Sequence, residues 1–379
     1  MTADRLNNIK EYYFSSKLRE VNSLIKEGKP IINLGIGSPD LSPSRNVIES
    51  LSDSLIHPKA HQYQSYQGIP ELRKAISLFY NTHYNVELDP DKQVLPLIGS
   101  KEGIMHISMA FLNPGDEVLI PNPGYPTYIS VTKLLQAKPV YYELEESNGW
   151  IPDINNLNKL DLSKVKLMWL NYPHMPTGSE ANIEFFNNII LFAKKNNILL
   201  INDNPYSFIL TNSPKSFLSN EGALDVGMEL NSLSKCFNMA GWRVGMLLGK
   251  SSNIESVLKV KSNVDSGMFY GIQKGAATAL NLSSEWFIDL NKEYTERREI
   301  AWKIAEKLGT TYDKNSVGLF IWARVPENIK NVDVFVDELL YKKNIFITPG
   351  KIFGTNGNKY IRISLCTKKS VLEEALNRL

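Results

Sequence analysis

The run Asn231-Ser-Leu-Ser-Lys235-Cys-Phe-Asn-Met-Ala-Gly241-Trp-Arg243-Val-Gly245 sets one lysine among hydroxyls, with an arginine eight residues on and glycines around that arginine. A lysine that carries a carbonyl cofactor as an imine needs such company. Its amine must lose a proton near neutral pH, through partial desolvation or a nearby cation. The hydroxyls of Ser232 and Ser234 and the guanidinium of Arg243 can hold a phosphate beside it. Taken alone, the run suits a solvated surface loop as well. Its neighbourhood carries the reading further, because short apolar runs at 227–230 and 244–248 enclose it.

More such runs stand upstream, at 93–98, 117–120, 139–144, 165–170 and 198–202. Several are apolar nearly throughout rather than alternating, as strands covered on both faces are. Helical patterns at 103–112, 128–136 and 184–196 fall between them. The alternation predicts an α/β fold: a large domain, residues 45–275, with a mainly parallel seven-stranded sheet between helices. The ends read differently. Residues 1–30 look helical, 31–36 form a short strand, and 286–308 form a long charged helix. Strands at 318–324, 344–348 and 360–365 and a helix at 332–342 follow. These predict a smaller α+β domain built from both termini, residues 1–44 and 276–379.

Composition narrows the function. The chain has 379 residues, 43% hydrophobic and 22% charged, with 42 basic against 40 acidic side chains. A net charge of +2 gives no electrostatic reason to expect nucleic acid or an anionic membrane. No apolar run approaches the roughly 18–20 residues that span a bilayer, and the first residues lack an apolar signal core. Cys236 and Cys366 are too few for a disulfide framework or a zinc site, and the five histidines show no ligand spacing. The expectation is a cytoplasmic protein without a metal.

In an open parallel sheet, ligands sit beyond the carboxyl ends of the strands. After 93–98 comes Gly99-Ser100-Lys101-Glu102-Gly103, opening a helix whose free amides suit a phosphate. After 117–120 comes Pro121-Asn-Pro-Gly-Tyr125-Pro, a stiff loop that can fix an aromatic platform. After 165–170 comes Asn171-Tyr-Pro-His174-Met175-Pro-Thr-Gly178. After 198–202 comes Asp203-Asn-Pro-Tyr206, where a carboxylate closing an apolar strand needs a partner such as a protonated ring nitrogen. Each also has a plain structural explanation, a turn, a cap or a core plug. Together they match pyridoxal 5′-phosphate group by group. Rival motifs fail: Gly35-Ile-Gly37-Ser-Pro-Asp40 lacks the third small residue of a dinucleotide fingerprint, and Gly245–Ser251 is one residue short of a P-loop.

With these loops on the page, the chain resembles class I/II aminotransferases, the aspartate aminotransferase-like group of fold type I pyridoxal phosphate enzymes. The resemblance runs from Ile32-Asn-Leu-Gly-Ile-Gly-Ser-Pro-Asp40 through His61-Gln-Tyr63 and the strand-end loops to Phe353-Gly354 and Tyr360-Ile-Arg362. It implies that Lys235 forms the aldimine and moves the Cα proton, that Asp203 keeps the pyridine nitrogen protonated, and that Tyr206 holds the 3-oxygen. It further implies that Tyr125 stacks on the ring and that Ser100, Lys101 (through backbone amides), Ser232, Ser234 and Arg243 hold the phosphate. Arg362 would clamp the substrate α-carboxylate, with Gly37 beside it. Tyr63 would reach the neighbouring subunit's phosphate in a homodimer with shared sites.

One position departs from the family. Where Asn-Pro-Thr-Gly is usual, this chain has Met175-Pro-Thr-Gly178, and a thioether donates no hydrogen bond. Asn171 or His174 are the side chains that could compensate. The expected reaction is ping-pong amino transfer between an amino acid and a 2-oxo acid. The alternatives are a pyridoxal phosphate-dependent carbon–sulfur β-lyase and a cofactor-retaining regulatory protein. Tyr12-Tyr13-Phe14 can line an apolar pocket or serve helical packing.

Overall fold

The computed structural model describes residues 2–7, 9 and 11–379. After a short first strand, β1 (Ile32–Asn33), seven strands build the central sheet. They are β2 (Val94–Leu97), β3 (Glu117–Asn122), β4 (Lys138–Glu143), β5 (Val165–Leu170), β6 (Leu199–Asp203), β7 (Gly227–Ser232) and β8 (Gly245–Gly249). Their order across the sheet is β2-β8-β7-β6-β5-β3-β4. Only β8 opposes its neighbours, β2 and β7; the remaining pairs are parallel.

The unbroken apolar character of these strands has a direct cause. Val118 and Ile120 join Leu167 and Trp169 in one buried cluster, while Leu119, Met168 and Leu170 face a second, larger one. Both faces of the sheet are covered, so the strand interiors are mostly apolar, with Glu229 in β7 a buried exception. The helices Ser100–Phe111, Pro126–Leu134 and Ile183–Asn196 lie near their expected positions. The sequence reading did not mark the helix Ser251–Lys261. It buries only Ile254, Val257 and the stem of Lys261, too sparse a stripe for periodicity to show.

The remaining strands are β9 (Thr311–Tyr312), β10 (Phe320–Arg324), β11 (Ile345–Phe346), β12 (Thr348–Pro349) and β13 (Tyr360–Ser364). They form an antiparallel sheet of order β12-β13-β10-β9, and β1 pairs in parallel with β11. Three expectations are corrected. The strand expected at 31–36 stops after two residues, because Asn33 Oδ1 accepts from Gly35 N at 3.0 Å and Ile36 N at 3.3 Å and turns the chain. The strand expected at 344–348 is two, joined to different sheets through β1 and β13. The helix expected over 1–30 is confined to Tyr13–Lys26, where Val21 and Leu24 begin to be buried. A single turn at Asp4–Leu6 precedes it, and residues 1, 8 and 10 lie outside the described ones.

The carboxyl ends of β2, β3, β5, β6 and β7 share one edge of the sheet. Leu34 passes over from the N-terminal side, fastened through its amide to Phe346 O and its carbonyl to the Ser364 amide, each at 2.8 Å.

Candidate active site

At that edge a cavity of about 350 Å³ opens. Gly99, with φ +83, turns the chain from β2 into the helix Ser100–Phe111, so the first free amides of the helix face the cavity. A Cβ at Gly99 would lie 2.2 Å from Arg243 Nη2, and one at Gly245 only 2.6 Å from Ser100 N. These two glycines let the guanidinium approach the helix start. Arg243 itself holds the left-handed conformation at φ 58, uncommon for a residue with a side chain, and Nη1 donates to Ala240 O at 2.8 Å. Ser232 and Ser234 pair through their hydroxyls at 2.7 Å beside it. Amides, hydroxyls and a guanidinium converge as a cradle for an anion.

Asp203 closes β6 and is buried. Its Oδ2 accepts from Tyr128 Oη at 2.8 Å, whereas Oδ1 has no partner within the protein. Burial pushes this carboxyl up to about 7, aided by the charge of Glu229 and opposed by the Tyr128 hydrogen bond and the Lys235 ammonium. A lone buried oxygen of this kind calls for a cationic donor. Asn171 braces the loop above: Nδ2 donates to Asp203 O at 2.6 Å and Oδ1 accepts from Met175 N at 2.9 Å. Tyr206 is buried on the same wall, its phenol held well above the ordinary range by desolvation.

Lys235, part-buried, donates from Nζ to Gly37 O at 2.6 Å. Burial lowers its amine, with Arg362 and Arg243 adding to the effect and Cys366 and Asp203 opposing it. A lowered amine is more readily deprotonated than a free lysine, which suits a nucleophile or base. Arg362, on β13, is also buried, and desolvation brings its guanidinium down to about 10.

The cavity gathers Gly37, Ser100, Lys101, Tyr125, Asn171, Met175, Asp203, Tyr206, Ser232, Ser234, Lys235, Arg243 and Arg362. Of the residues whose roles the family resemblance implied, only Tyr63 stands outside it, 90% exposed. His174 does not reach the cavity. Its Nδ1 pairs with Thr177 Oγ1 at 2.8 Å and burial holds it down at about 3, so it supplies no cation there. Tyr12 and Phe14 line the cavity with Leu18, Phe320 and Phe353. No separate signal marks Phe320, which sits in a strand that reads as plain core. Lys101 was expected only for its backbone. Its ammonium also stands 4.2 Å from the Tyr12 ring centroid, at the mouth of the cavity.

The chain matches the family "Aminotransferase class I and II" over residues 29–379. It belongs to that family. The enzyme is 40% identical to the LL-diaminopimelate aminotransferase of Halothermothrix orenii, over all of this chain and 97% of that one. It is 38% identical to Transaminase BacF of Bacillus subtilis, over the whole chain and 95% of the relative. The solved apo structure of BacF superposes with a TM-score of 0.96 at 37% identity, covering 100% of this chain and 97% of that chain. This aminotransferase acts in amino acid metabolism, and its family implies pyridoxal 5′-phosphate as cofactor. No helix among the described residues is long and apolar enough to cross a membrane.

Proposed function

We propose that this aminotransferase holds pyridoxal 5′-phosphate in the cavity described and moves an amino group from an amino acid to a 2-oxo acid by a ping-pong mechanism. The observation that carries the assignment is the unpaired, buried Oδ1 of Asp203, in one cavity with the lowered amine of Lys235. The residues fit the group: the cradle at Gly99, Ser100, Ser232, Ser234 and Arg243 suits its phosphate, Tyr125 its ring face, Tyr206 its 3-oxygen and Asp203 its ring nitrogen. When bound, the cofactor supplies an electron-accepting ring.

The chain's own groups do the rest. Lys235 Nζ, as a free amine, would take the proton from the substrate Cα. Asp203 stabilises positive charge on the ring nitrogen through Oδ1, while Tyr128 holds its other oxygen in place. Arg362 pairs with the α-carboxylate, with Gly37 beside it. Lys101 offers a second cation at the cavity mouth, which favours a donor with an anionic distal end. The name of the LL-diaminopimelate aminotransferase relative, whose substrate carries a distal carboxylate, points the same way.

The reading includes a division into a large domain, 45–275, and a small one, 1–44 with 276–379, and a cytoplasmic homodimer. Two free cysteines support the compartment. The dimer is supported by an exposed apolar face. Ile56 and Tyr63 project almost fully, and Val264 and Phe269 are exposed on the adjoining segment.

The experiment is Lys235→Ala, assayed with an amino-donor panel against 2-oxoglutarate and pyruvate. Loss of a general base costs on the order of 10²–10⁴ in rate, and loss of the cofactor's covalent tether adds to that. Turnover at the wild-type rate would sink the assignment. Pyruvate release from a thioether amino acid without any acceptor would favour the β-lyase instead.

A further inference from the structure

Arg362 is a buried cation in apolar surroundings. Its guanidinium carbon lies 3.9 Å from the Phe320 ring centroid, 4.7 Å from Phe353 and 5.2 Å from Phe14. The polar contacts are few. Nη2 donates to Gly35 O at 2.8 Å, Nη1 reaches Met175 Sδ at 3.3 Å, and Nε has no partner. Met175 is itself buried, its amide bonded to Asn171 Oδ1 at 2.9 Å, so the thioether is directed by a fixed backbone.

A carboxylate that meets a guanidinium in two hydrogen bonds keeps further lone pairs, which gain from additional donors. Apart from Gly35 O, the nearest neighbours of the Arg362 guanidinium are phenyl rings and sulfur, and a thioether accepts weakly and donates nothing. Asn171 is fixed in place by bracing, with one Nδ2 hydrogen on Asp203 O and Oδ1 on Met175 N. His174 faces away, paired with Thr177.

On the reading of Arg362 as the α-carboxylate clamp, we propose that Met175 is a specificity-determining residue. It withholds the donor that a side-chain amide would place beside Arg362, so the α-carboxylate contributes less to affinity than it otherwise would. Selection among amino donors then rests on the rest of the cavity lining, Tyr12, Leu18 and Lys101 among it.

The test uses Met175→Asn and Met175→Leu in the cofactor-loaded protein, titrated calorimetrically with 3-phenylpropionate, a carboxylate with no amine to react. Met175→Asn lowers the Kd by about tenfold, the smaller end of what one hydrogen bond to a charged group is worth. Met175→Leu, which keeps the volume and removes the sulfur, stays within about threefold of wild type, since no donor is gained or lost. The KM of the amino donor falls with the Kd in Met175→Asn while kcat holds, the signature of binding gained equally in ground and transition states. The proposal is overturned if Met175→Asn tightens binding by less than about threefold, or if Met175→Leu departs further than that, because the sulfur would then be holding Arg362 itself. Arg362→Gln separates the two readings. If it leaves the wild-type Kd unchanged, the clamp is misassigned, whatever Met175 does.

Discussion

Tyr128 Oη donates to Asp203 Oδ2 at 2.8 Å, while the second carboxylate oxygen of Asp203, buried beside it, has no partner. The carboxyl is therefore held in one orientation with one oxygen left for a ligand, and desolvation pushes it up to about 7. Between about pH 4, where an unfolded aspartate ionises, and about pH 7, the folded protein keeps a proton that the unfolded chain releases. Stability from this group is full below pH 4 and declines as pH rises through that window. In cofactor-free protein, Asp203→Asn removes the slope. Thermal melts of the two proteins from pH 4 to 8 should show wild type losing ground to Asp203→Asn up to about pH 7, then running parallel. A constant difference across the range would contradict the assignment.

Two neighbours should move that window in opposite directions. Tyr128 lowers the Asp203 carboxyl by donating to it, and Glu229 raises it by its charge. Tyr128→Phe shifts the window upward by about one unit, since a hydrogen bond to a charged group is worth about 1.5–3 kcal/mol. Glu229→Gln shifts it downward. Carbon NMR of labelled aspartate in the cofactor-free variants reads both, and a shift of the same sign in the two would rule out this division of causes.

Glu229 also carries a structural consequence. One buried carboxylate accepts from Tyr80 Oη and Ser216 Oγ at 2.8 Å, from Phe217 N at 2.7 Å, and from the amides of Asn202 and Asn204 at 3.2 Å. Glu229→Leu removes this acceptor from all five, leaving Tyr80, Ser216 and Phe217 without an acceptor while Asn202 and Asn204 keep backbone carbonyls. We expect a loss of about 3–5 kcal/mol, the range for breaking a buried charged network by removing one partner. Urea titration measures it, and a loss below about 1 kcal/mol would mean that water replaces the carboxylate.

The central sheet was legible because burial on both faces leaves its strands mostly apolar, so a polar residue at a strand end stands out. Asp203 was found that way, and Lys235 through the hydroxyl-flanked run that follows β7. Glu229 was not, since a carboxylate inside a strand declares itself only through donors from residues 80, 202, 204, 216 and 217. Tyr128 was hidden for a related reason. In sequence it reads as part of a helix, and its bond to Asp203 spans 75 residues. The resemblance to a known family supplied roles that spacing alone left open, Arg362 above all, which lies far along the chain from the other site residues. The aromatic box around Arg362 escaped notice because Phe14, Phe320 and Phe353 come from three distant segments.

Lys101 separates a backbone role from a side-chain role. Its ammonium lies over the Tyr12 ring, and burial and the charge of Arg243 both lower it. Lys101→Met keeps the amide and the length but removes the charge. It should raise KM for donors with a distal carboxylate by about tenfold or more, as losing a partly buried charge pair does, and leave apolar donors within about twofold. If both classes weaken equally, the side chain is serving the cradle and not the substrate.

Tyr63 tests the assembly. Its phenol is 90% exposed and touches nothing in its own cavity, and Ile56, 89% exposed, lies on the same stretch of chain. That stretch rests on the loop carrying Val264 and Phe269. A Cβ at Gly267 would fall 2.6 Å from Gln64 O, and the His61 and Phe269 rings lie 6.3 Å apart. Two adjoining segments thus offer one apolar face, which a monomer would have to leave in water. If the face joins two copies, Ile56→Glu places a charge in its centre, and sedimentation velocity should show wild type as a dimer and the variant as a monomer. Tyr63→Phe should keep the dimer and weaken cofactor affinity by about tenfold, the worth of one phenolic hydrogen bond to a phosphate. The two variants divide the claim: a wild-type monomer with full activity removes the shared site, whereas a dimer whose cofactor affinity ignores Tyr63→Phe keeps the interface and removes only the reach of Tyr63 across it.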